Sequence, residues 1–384
     1  MILLGSTLLS GNAADVTLLP MNRLLAFLLL ALAPAACQLP HGADTKFSTS
    51  LESADELIEP GETHFKHLWM LTDGGENAEA YWSFDGKSLS FQRRIPREGI
   101  DCDRIFVVSA DGGLAEQVSN GRGVTTCSYY MPNGAEVLFA STHGEQDDCP
   151  PKPDFSQGYV WPIHPEFDIW VTDLESGMSR TLIGGPGYDA EATVSPTGDR
   201  IVFTSTRTGD LELFTCDLDG GNIVQVTDAL GYDGGAFFSH DGTQLVFRAT
   251  GFTPGQEAEE GATYMRLLED DKVRPHTMDI YLINADGSDR RKLTDLGGAS
   301  FAPSFYPDDA RIMFSTNHHD PRDPARNFDL FSMTTEGTDL ERITTFEGFD
   351  SFPLFSPDGR FVAFASNRGN TEPGDTNVFI AEWQ

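Results

Sequence analysis

Basic residues are scarce in this chain. Its 384 residues include 26 lysines and arginines against 59 aspartates and glutamates, which gives a formal net charge of −33 at pH 7. Proteins that bind nucleic acid or anionic lipid rely on basic side chains to displace counterions from phosphates. The charge therefore argues against both as partners. It is compatible with binding a cation or a basic protein, or with a role in solubility.

The chain also lacks an apolar run long enough to span a membrane as a helix. The run after Arg23, in MNRLLAFLLLALAPAAC, covers only Leu24–Leu32 before it reaches small residues. A basic start, a short apolar run and a small-residue end are typical of a secretory signal. We therefore expect residues 1–20 to be upstream sequence before the true start at Met21, and residues 21–36 to be a signal peptide that directs export.

The end of this segment resembles the cleavage site of a bacterial lipoprotein signal. Cleavage within Ala35-Ala36-Cys37 would make Cys37 the lipid-bearing residue, whereas ordinary cleavage after Ala33-Pro34-Ala35 would leave it a free thiol. In either case the chain is exported, and we expect a periplasmic protein or an outer-membrane lipoprotein that touches the membrane only through its anchor. Residues 37–63 have little apolar periodicity, and we expect a flexible tether there.

Cysteines are few. Five are present, and their spacing is too wide for a disulfide scaffold. Because export permits disulfides, two of Cys102, Cys127 and Cys149 could pair, and the sequence leaves all three pairings open. Cys216 lies inside a predicted strand, and we expect it to be a buried free thiol.

Motifs of common catalytic sites are missing as well. The chain contains no Gly-x-Ser-x-Gly nucleophile turn, no phosphate-binding loop and no His-Glu-x-x-His zinc motif. These absences argue against nucleophilic catalysis and nucleotide chemistry by the usual routes.

What the chain does contain is a repeat. From residue 64 onward, an apolar segment, a turn of the Asp-Gly or Asn-Gly type and an alternating apolar segment recur six times, which is the pattern of a β-hairpin. The six copies are Tyr81–Phe91, Tyr129–Phe139, Thr193–Phe203, Phe237–Phe247, Ser304–Phe314 and Leu354–Phe364.

A second apolar unit follows each hairpin, and most of these units are followed by a further strand that ends in a pair such as Val226-Thr227. Four strands in each of six repeats predict an all-β, six-bladed β-propeller. The last repeat lacks its fourth strand, and His64–Thr72 has the matching sequence. We therefore expect residues 64–384 to form one propeller in which this N-terminal strand completes the last blade and removes a sheet edge.

The repeats resemble the WD40-like PD40 repeats of the TolB family. The resemblance rests on FSPDGRFVAFASNRG at Phe355–Gly369 and on INADGSDRRKLT at Ile283–Thr294. It covers about residues 64–384 and implies a propeller fold. It implies no particular activity, because propellers are platforms for many tasks.

The strand order places the loops on two faces of the predicted ring. The hairpin turns fall on one face. The loops between second and third strands, and the links between blades, fall on the other, which we call the decorated face. Long loops on one face of a rigid scaffold indicate a working surface. The long insertions assigned to it are Gln92–Cys102, Ser141–Glu166, Arg248–Thr277, Ser315–Asn327 and Ser366–Asp375.

Acidic residues occur where the innermost strands begin, at the channel mouth on the decorated face. Together they could form a collar suited to a cation or a protonated amine. The alternative is that they cap turns and accept backbone hydrogen bonds. The acidic members are Glu79, Asp189, Glu191, Asp233 and Asp350, and the neutral ones are Asn77, Thr125, Cys127 and Ser300.

Histidines on the decorated face are candidate ligands for a divalent cation. His143 and His318 belong to opposite blades, so they could share an ion with His319 only if their loops fold inward over the axis. More local sites would combine His318 or His319 with Asp320, or His143 with acids of the next blade. The alternative is that each histidine packs or hydrogen-bonds within its loop.

Arginine occupies the position of these histidines in other blades. Arg207 and Arg368 follow the second strand at the same offset as His143 and His318. We expect both arginines to be structural, as they are in the repeats that this chain resembles. The replacement by histidine in two blades suggests a task at those two positions.

These observations favour a non-catalytic cell-envelope binding or scaffold protein. Its decorated face would be presented to a protein, a peptide or a glycan. The alternative is a metal-assisted hydrolase or lyase that acts on a carbohydrate or peptide at the channel mouth and uses a divalent cation.

Overall fold

The computed structural model describes residues 50–151, 153–156, 158–275, 277–320, 327–370 and 372–384. The predicted upstream segment, the predicted signal peptide, Cys37 and residues 38–49 of the predicted tether lie outside these residues. No helix in the described part of the chain is long and apolar enough to cross a membrane.

Six antiparallel sheets of four strands each form the fold, and the prediction of an all-β, six-bladed propeller is confirmed. The innermost strand of each blade contacts the innermost strands of both neighbouring blades, so the six blades close into a ring. Alternation of apolar and polar residues along the strands supplies each blade with faces that pack against its neighbours.

Blades one to three form the first half of the ring. The chain enters the ring through β1 (Phe65–Met70). Blade one has β2 (Glu76–Trp82), β3 (Ser88–Ile95), β4 (Ile100–Ser109) and β5 (Glu116–Gln117). Blade two has β6 (Thr125–Tyr130), β7 (Glu136–Ser141), β9 (Asp168–Asp173) and β10 (Ser179–Ile183), with the short β8 (Trp161–Pro162) in its insertion. Blade three has β11 (Asp189–Val194), β12 (Arg200–Ser205), β13 (Glu212–Asp217) and β14 (Val224–Gln225).

Blades four to six complete the ring. Blade four has β15 (Asp233–Phe238), β16 (Gln244–Thr250), β18 (Met278–Asn284) and β19 (Arg291–Lys292), and its insertion holds α1 (Glu257–Glu269) and β17 (Lys272–Val273). Blade five has β20 (Ser300–Phe305), β21 (Arg311–Thr316), β22 (Asp329–Thr334) and β23 (Glu341–Arg342). Blade six has β24 (Asp350–Phe355), β25 (Phe361–Ser366) and β26 (Asn377–Trp383). Two 3-10 turns cover Asp55–Leu57 and Pro96–Glu98.

The ring is closed by the first and last strands of the fold. β1 pairs antiparallel with β26, with Phe65 opposite Trp383 and Met70 opposite Phe379. β1 is therefore the fourth strand of blade six, as the sequence predicts. This pairing gives β26 backbone partners on both sides and removes a sheet edge at the seam.

An aromatic pair at the same place in every blade explains why the repeats fold alike. The second strand of each blade carries a fully buried phenylalanine, directly opposite an aromatic residue on the third strand. Cross-strand aromatic pairs stabilise a sheet beyond the burial of their area. The pairs are Phe91–Phe106, Phe139–Trp170, Phe203–Phe214, Phe247–Tyr281, Phe314–Phe331 and Phe364–Phe379.

Residues 50–63 pack against blade six, which differs from the flexible tether predicted for residues 37–63. Ala54 donates its backbone N–H to Leu68 of β1 at 2.8 Å. Glu62 is 2% exposed and forms a buried ion pair with Arg368, with an Nη1–Oε2 distance of 2.9 Å. Separate contacts of this kind hold the segment in place. They require no periodic apolar pattern, and its sequence shows none. We call residues 50–63 the strap.

Arg368 joins the strap to the innermost strand of blade six. Its guanidinium also bonds Asp350 at 2.7 Å and the carbonyl oxygen of Leu57 at 3.1 Å. Burial of a charge is tolerated only when it is paired and hydrogen-bonded. The prediction of a structural Arg368 agrees with these contacts.

Removing the Glu62 carboxylate should destabilise the propeller strongly. In Glu62→Ala the buried guanidinium of Arg368 keeps only one of its two carboxylate partners, and breaking such a pair costs about 3–5 kcal/mol. Urea unfolding would measure this loss of unfolding free energy. Glu56→Ala, at an exposed position of the strap, is the control and should change stability by less than about 0.5 kcal/mol. Equal stability of the two variants would contradict the role given to Glu62.

Candidate functional site

The innermost strand of every blade contains a bulge at the same position. One residue there has a left-handed backbone, with φ between 51° and 57° in all six blades. The pairing with the second strand shifts register at this point. Such φ values are routine only for glycine, so the bulge is a strained feature in five blades. The six residues are Glu79, Cys127, Glu191, Gly235, Ala302 and Phe352.

All six bulge residues line one cavity in the channel. It leaves ≈ 20 Å³ for the centre of a water-sized sphere, which is room for about one water molecule. Tyr81, Tyr129 and Phe237 lie two residues further along their strands, with ring centroids 5.3 to 6.3 Å apart. Because blades one and four are opposite each other, contact between Tyr81 and Phe237 blocks the channel below the cavity. The cavity therefore lies between this aromatic contact and the decorated face.

Glu191 and Arg248 form an ion pair inside this cavity. Each residue is 8% exposed, and the Arg248 guanidinium contacts both the Glu191 carboxylate and the hydroxyl of Tyr232. The second carboxylate oxygen accepts from Thr204 Oγ1 at 2.8 Å and from the backbone N–H of Gly235 at 2.9 Å. Burial disfavours the charge on Arg248, but Glu191 outweighs it and raises the pKa of Arg248. The arginine therefore stays protonated.

Glycine is required at position 235 because of this arginine. A Cβ atom there would lie 1.8 Å from Nη1 of Arg248. Gly235 also has a left-handed φ of 57°. The small residue in blade four thus makes room for a long side chain from its own second strand.

Glu79 and Cys127 form the other polar wall of the cavity. Burial raises the pKa of Glu79 to about 7. The Cys127 thiol and Arg248 oppose this rise in pKa, whereas the charge on Glu191 adds to it. Burial and the same two carboxylates raise the pKa of Cys127 well above its usual range. Because the thiolate is the nucleophile, Cys127 is a neutral lining group and not a reactive one at physiological pH.

Asp189, Asp233 and Asp350 begin their inner strands but are not among the residues that line the cavity. Each is at most 3% exposed, and each pairs with an arginine of its own blade. The bulge explains this difference. Because it interrupts the strand, the aspartate and the bulge residue two positions later point in different directions. The N–O distances are 2.7 Å for Asp189–Arg207, 2.8 Å for Asp233–Arg290 and 2.7 Å for Asp350–Arg368.

His143 takes the place that arginine holds in blade three. Its Nδ1 lies 2.7 Å from Ser141 Oγ, and its ring packs on Trp170 with centroids 4.0 Å apart. Arg207 makes the same contacts, with Nε 2.9 Å from Ser205 Oγ and its guanidinium over the third-strand aromatic. Burial lowers the pKa of His143, which favours the neutral ring. His143 therefore covers the end of its blade and does not reach the cavity.

His318 and His319 lie in blade five, away from the residues that line the cavity. The His318 ring packs on Phe331 with centroids 4.8 Å apart, and His319 Nε2 lies 2.7 Å from Asp329 Oδ2. Across the described residues, no group of three or more His, Cys, Asp or Glu side chains is placed to hold a metal ion. The structure therefore does not bring His143, His318 and His319 together.

A disulfide fixes the insertion of blade two. Cys102 of β4 is bonded to Cys149, with Cα atoms 5.8 Å apart, which decides among the three pairings left open by the sequence. Cys127 and Cys216 are free, and Cys216 is buried as predicted. The bond ties the 142–167 insertion to blade one.

The insertions of blades two and four meet to form a roof on the decorated face, which comprises the described residues of 142–167 and 251–277. β8 pairs with β17, and Ile163 N donates to the Asp271 carbonyl at 2.8 Å. Trp161 of this roof lies over Arg248, with the guanidinium carbon 5.2 Å from its ring centroid. The roof therefore reaches the residues that bound the channel mouth.

The roof exposes an aromatic pair that the sequence analysis did not single out. Phe155 and Tyr159 stack with centroids 5.6 Å apart and are 48% and 63% exposed. Exposed aromatic residues are enriched at interfaces. The sequence signal for them is two aromatic residues set among polar residues in PDFSQGY.

Comparison with known proteins places this ring among TolB-like chains. No model of a known protein family matches the sequence. A TolB homologue of Chlorobium chlorochromatii is 25% identical over 138 residues, which is 30% of this chain and 31% of that protein. A TolB homologue of Chlorobaculum tepidum is 29% identical over 123 residues, which is 26% of this chain and 28% of that protein. The chain thus matches less than a third of the length of these relatives.

Solved structures share the fold at low identity. TolB from Acinetobacter baumannii superposes with a TM-score of 0.53 at 16% identity, over 79% of this chain and 65% of that one. A gluconolactonase from Xanthomonas campestris gives 0.54 at 12% identity, over 87% and 94%. Likeness at these identities shows the fold alone.

The chain is thus a six-bladed β-propeller with a blind, partly polar channel under a structured roof. More particularly, its sequence resembles that of TolB homologues, and the resemblance predicted from its repeats is confirmed by these matches.

Glutamine at position 79 should flatten the dependence of stability on pH. A carboxyl whose pKa rises on folding, here from 4.5 to about 7, contributes stability that is complete below the lower value. This contribution is lost as the pH rises through the higher one. Between about pH 5 and pH 7, Glu79→Gln should therefore lose less unfolding free energy than the wild type, as measured by urea unfolding at each pH. Glu175→Gln, at an exposed turn, should retain the wild-type slope. Equal slopes in all three proteins would show that Glu79 is not the titrating group.

Proposed function

We propose that this protein is a non-catalytic binding or scaffold protein of the cell envelope, which presents its decorated face to a protein partner. The observation that carries the proposal is the roof, in which two insertions pair, a disulfide fixes one of them, and two aromatic rings stand exposed. A rigid surface of this kind binds with little loss of conformational entropy. The TolB relatives support an envelope protein as the partner.

The proposal includes export by the segment at residues 21–36 and a lipid anchor at Cys37. These place the propeller in the periplasm or on the outer membrane, attached to the membrane only by lipid. The secretory pattern of the sequence supports this location, and an oxidising compartment suits the Cys102–Cys149 bond.

The acidic residues of the roof favour a basic partner. Asp154 lies beside Phe155, and α1 of the same roof begins with Glu257, Glu259 and Glu260. Complementary charge accelerates and orients association, while aromatic anchors supply most of the affinity. A protein segment with basic and apolar side chains matches this surface better than a neutral glycan does.

Truncation of the aromatic pair should abolish capture of the partner. Aromatic hot spots contribute 2 kcal/mol or more, so Phe155→Ala/Tyr159→Ala should weaken binding by roughly 30-fold. The experiment immobilises the mature chain and quantifies, by mass spectrometry, the envelope proteins that it retains from its own organism.

Leu114→Ala/Met178→Ala is the matched control. These side chains are 90% and 74% exposed and lie in turns between third and fourth strands, away from the roof. The control should retain the wild-type set of proteins. Equal loss in both double variants, or no loss in either, would refute the assignment of the binding surface to the roof.

A further inference from the structure

Two buried polar atoms in the channel cavity lack partners. Among the described residues, neither Oε2 of Glu79 nor Nε of Arg248 has a hydrogen-bond partner, and both atoms are shielded from solvent. Both side chains line the cavity, and Arg248 is only 8% exposed. Native structures rarely leave buried polar atoms unpaired, and each case calls for an explanation.

The two atoms are complementary to each other in type. The Arg248 Nε–H is a donor, and the carboxyl oxygen of Glu79 is an acceptor. The neighbouring polar groups are already engaged, because Glu191 accepts from four groups and the Nη2 group of Arg248 contacts two. The cavity therefore contains a donor, Nε–H of Arg248, and an acceptor, Oε2 of Glu79, that no described group satisfies.

Much of the remaining wall is aromatic or aliphatic, and the space is small. Tyr81 and Phe237 form the floor, and Ala302 and Phe352 form the side opposite the polar groups. With ≈ 20 Å³ for the centre of a water-sized sphere, the cavity admits the end of a ligand and not a whole sugar or amino acid. A group that pairs with both unpartnered atoms must carry both a donor and an acceptor.

We propose that this cavity is a binding site for a carboxamide group that enters from the decorated face. The amide N–H donates to Oε2 of Glu79, and the amide oxygen accepts from Nε–H of Arg248. This site lies in the channel and does not depend on the partner surface of the proposed function. The carboxamide can belong to a small molecule or to an asparagine or glutamine side chain of a peptide.

Ions of either sign fit the same cavity less well. Above the pKa of Glu79, which is about 7, a carboxylate would face the charges of Glu79 and Glu191, and like charges repel. An ammonium group would satisfy Glu79 but would lie beside the Arg248 guanidinium and leave its Nε–H unpaired. A neutral amide meets both atoms without adding charge.

Saturation-transfer NMR with small probes tests the proposal on the purified mature chain. Acetamide, acetate and methylammonium are titrated separately at about pH 8, above the pKa of Glu79. Acetamide should bind at least about tenfold more tightly than either ion, as expected when one buried charged group is left unpaired. The tripeptide Gly-Gln-Gly separates the two sources of the group. Its binding would indicate a peptide side chain, and binding of acetamide alone would indicate a small molecule.

Variants of the lining residues locate the binding. Ala302→Met fills the cavity without touching either polar atom and should abolish acetamide binding. Glu79→Gln keeps an acceptor oxygen and should retain acetamide binding to within about threefold, because the hydrogen bond becomes neutral but is not lost. Arg248→Lys removes the Nε donor while keeping the charge and should weaken binding at least about tenfold.

Phe155→Ala/Tyr159→Ala, in the roof, should bind acetamide like the wild type, so a failed partner surface and a failed channel site give different results. Unchanged acetamide binding in Ala302→Met would overturn the proposal. Preference for methylammonium, lost in Glu79→Gln, would also overturn it and indicate a cation site.

Discussion

Every other feature of the ring depends on the pairing of β1 with β26. A blade packs only against its two neighbours, so the six sheets form a closed channel only if the last blade is complete. β1 supplies its fourth strand, and the strap that precedes β1 adds the buried Glu62–Arg368 ion pair. Closure in turn fixes the distance across the axis, which brings Tyr81 and Phe237 into contact and makes the channel blind. The cavity is thus a consequence of closure as much as of its lining residues.

The fold could be predicted from the sequence because the physical signal is repeated. Each blade carries an alternating hairpin with a glycine or polar turn, and each places a phenylalanine such as Phe203 opposite a third-strand aromatic such as Phe214. Six consistent copies outweigh the ambiguity of any one. Loop placement followed from strand order alone. The decorated face and the structural position of Arg207 could therefore also be predicted, as could the strand at residues 64–72.

The candidate site could be predicted only in part. Glu79 and Glu191 line the cavity, whereas Asp189 two positions before Glu191 is turned into its blade. A bulge with a left-handed residue causes this difference. Glutamate and cysteine have no preference for a left-handed backbone, so their presence in the sequence does not predict the bulge. The roof was beyond reach for another reason. β8 and β17 belong to different blades, and two-residue strands carry no periodic pattern. Nor could the strap be found, since it is attached by separate contacts, such as those of Ala54 and Glu62, that leave no periodic pattern in the sequence.

Closure by β1 has a consequence for how the chain is made. A ribosome or export channel releases β1 long before β26, and the side chain of Gln384 donates a hydrogen bond to the Thr63 carbonyl oxygen, 321 residues earlier in the chain. The first strand must therefore wait, unpaired, while five blades form, and contacts this distant in sequence slow folding. Until then both β1 and the outer edge of the last blade are open to pairing with other chains. Pairing at the seam therefore distinguishes longer from shorter chains, because only a chain synthesised through β26 can cover the edge of β1.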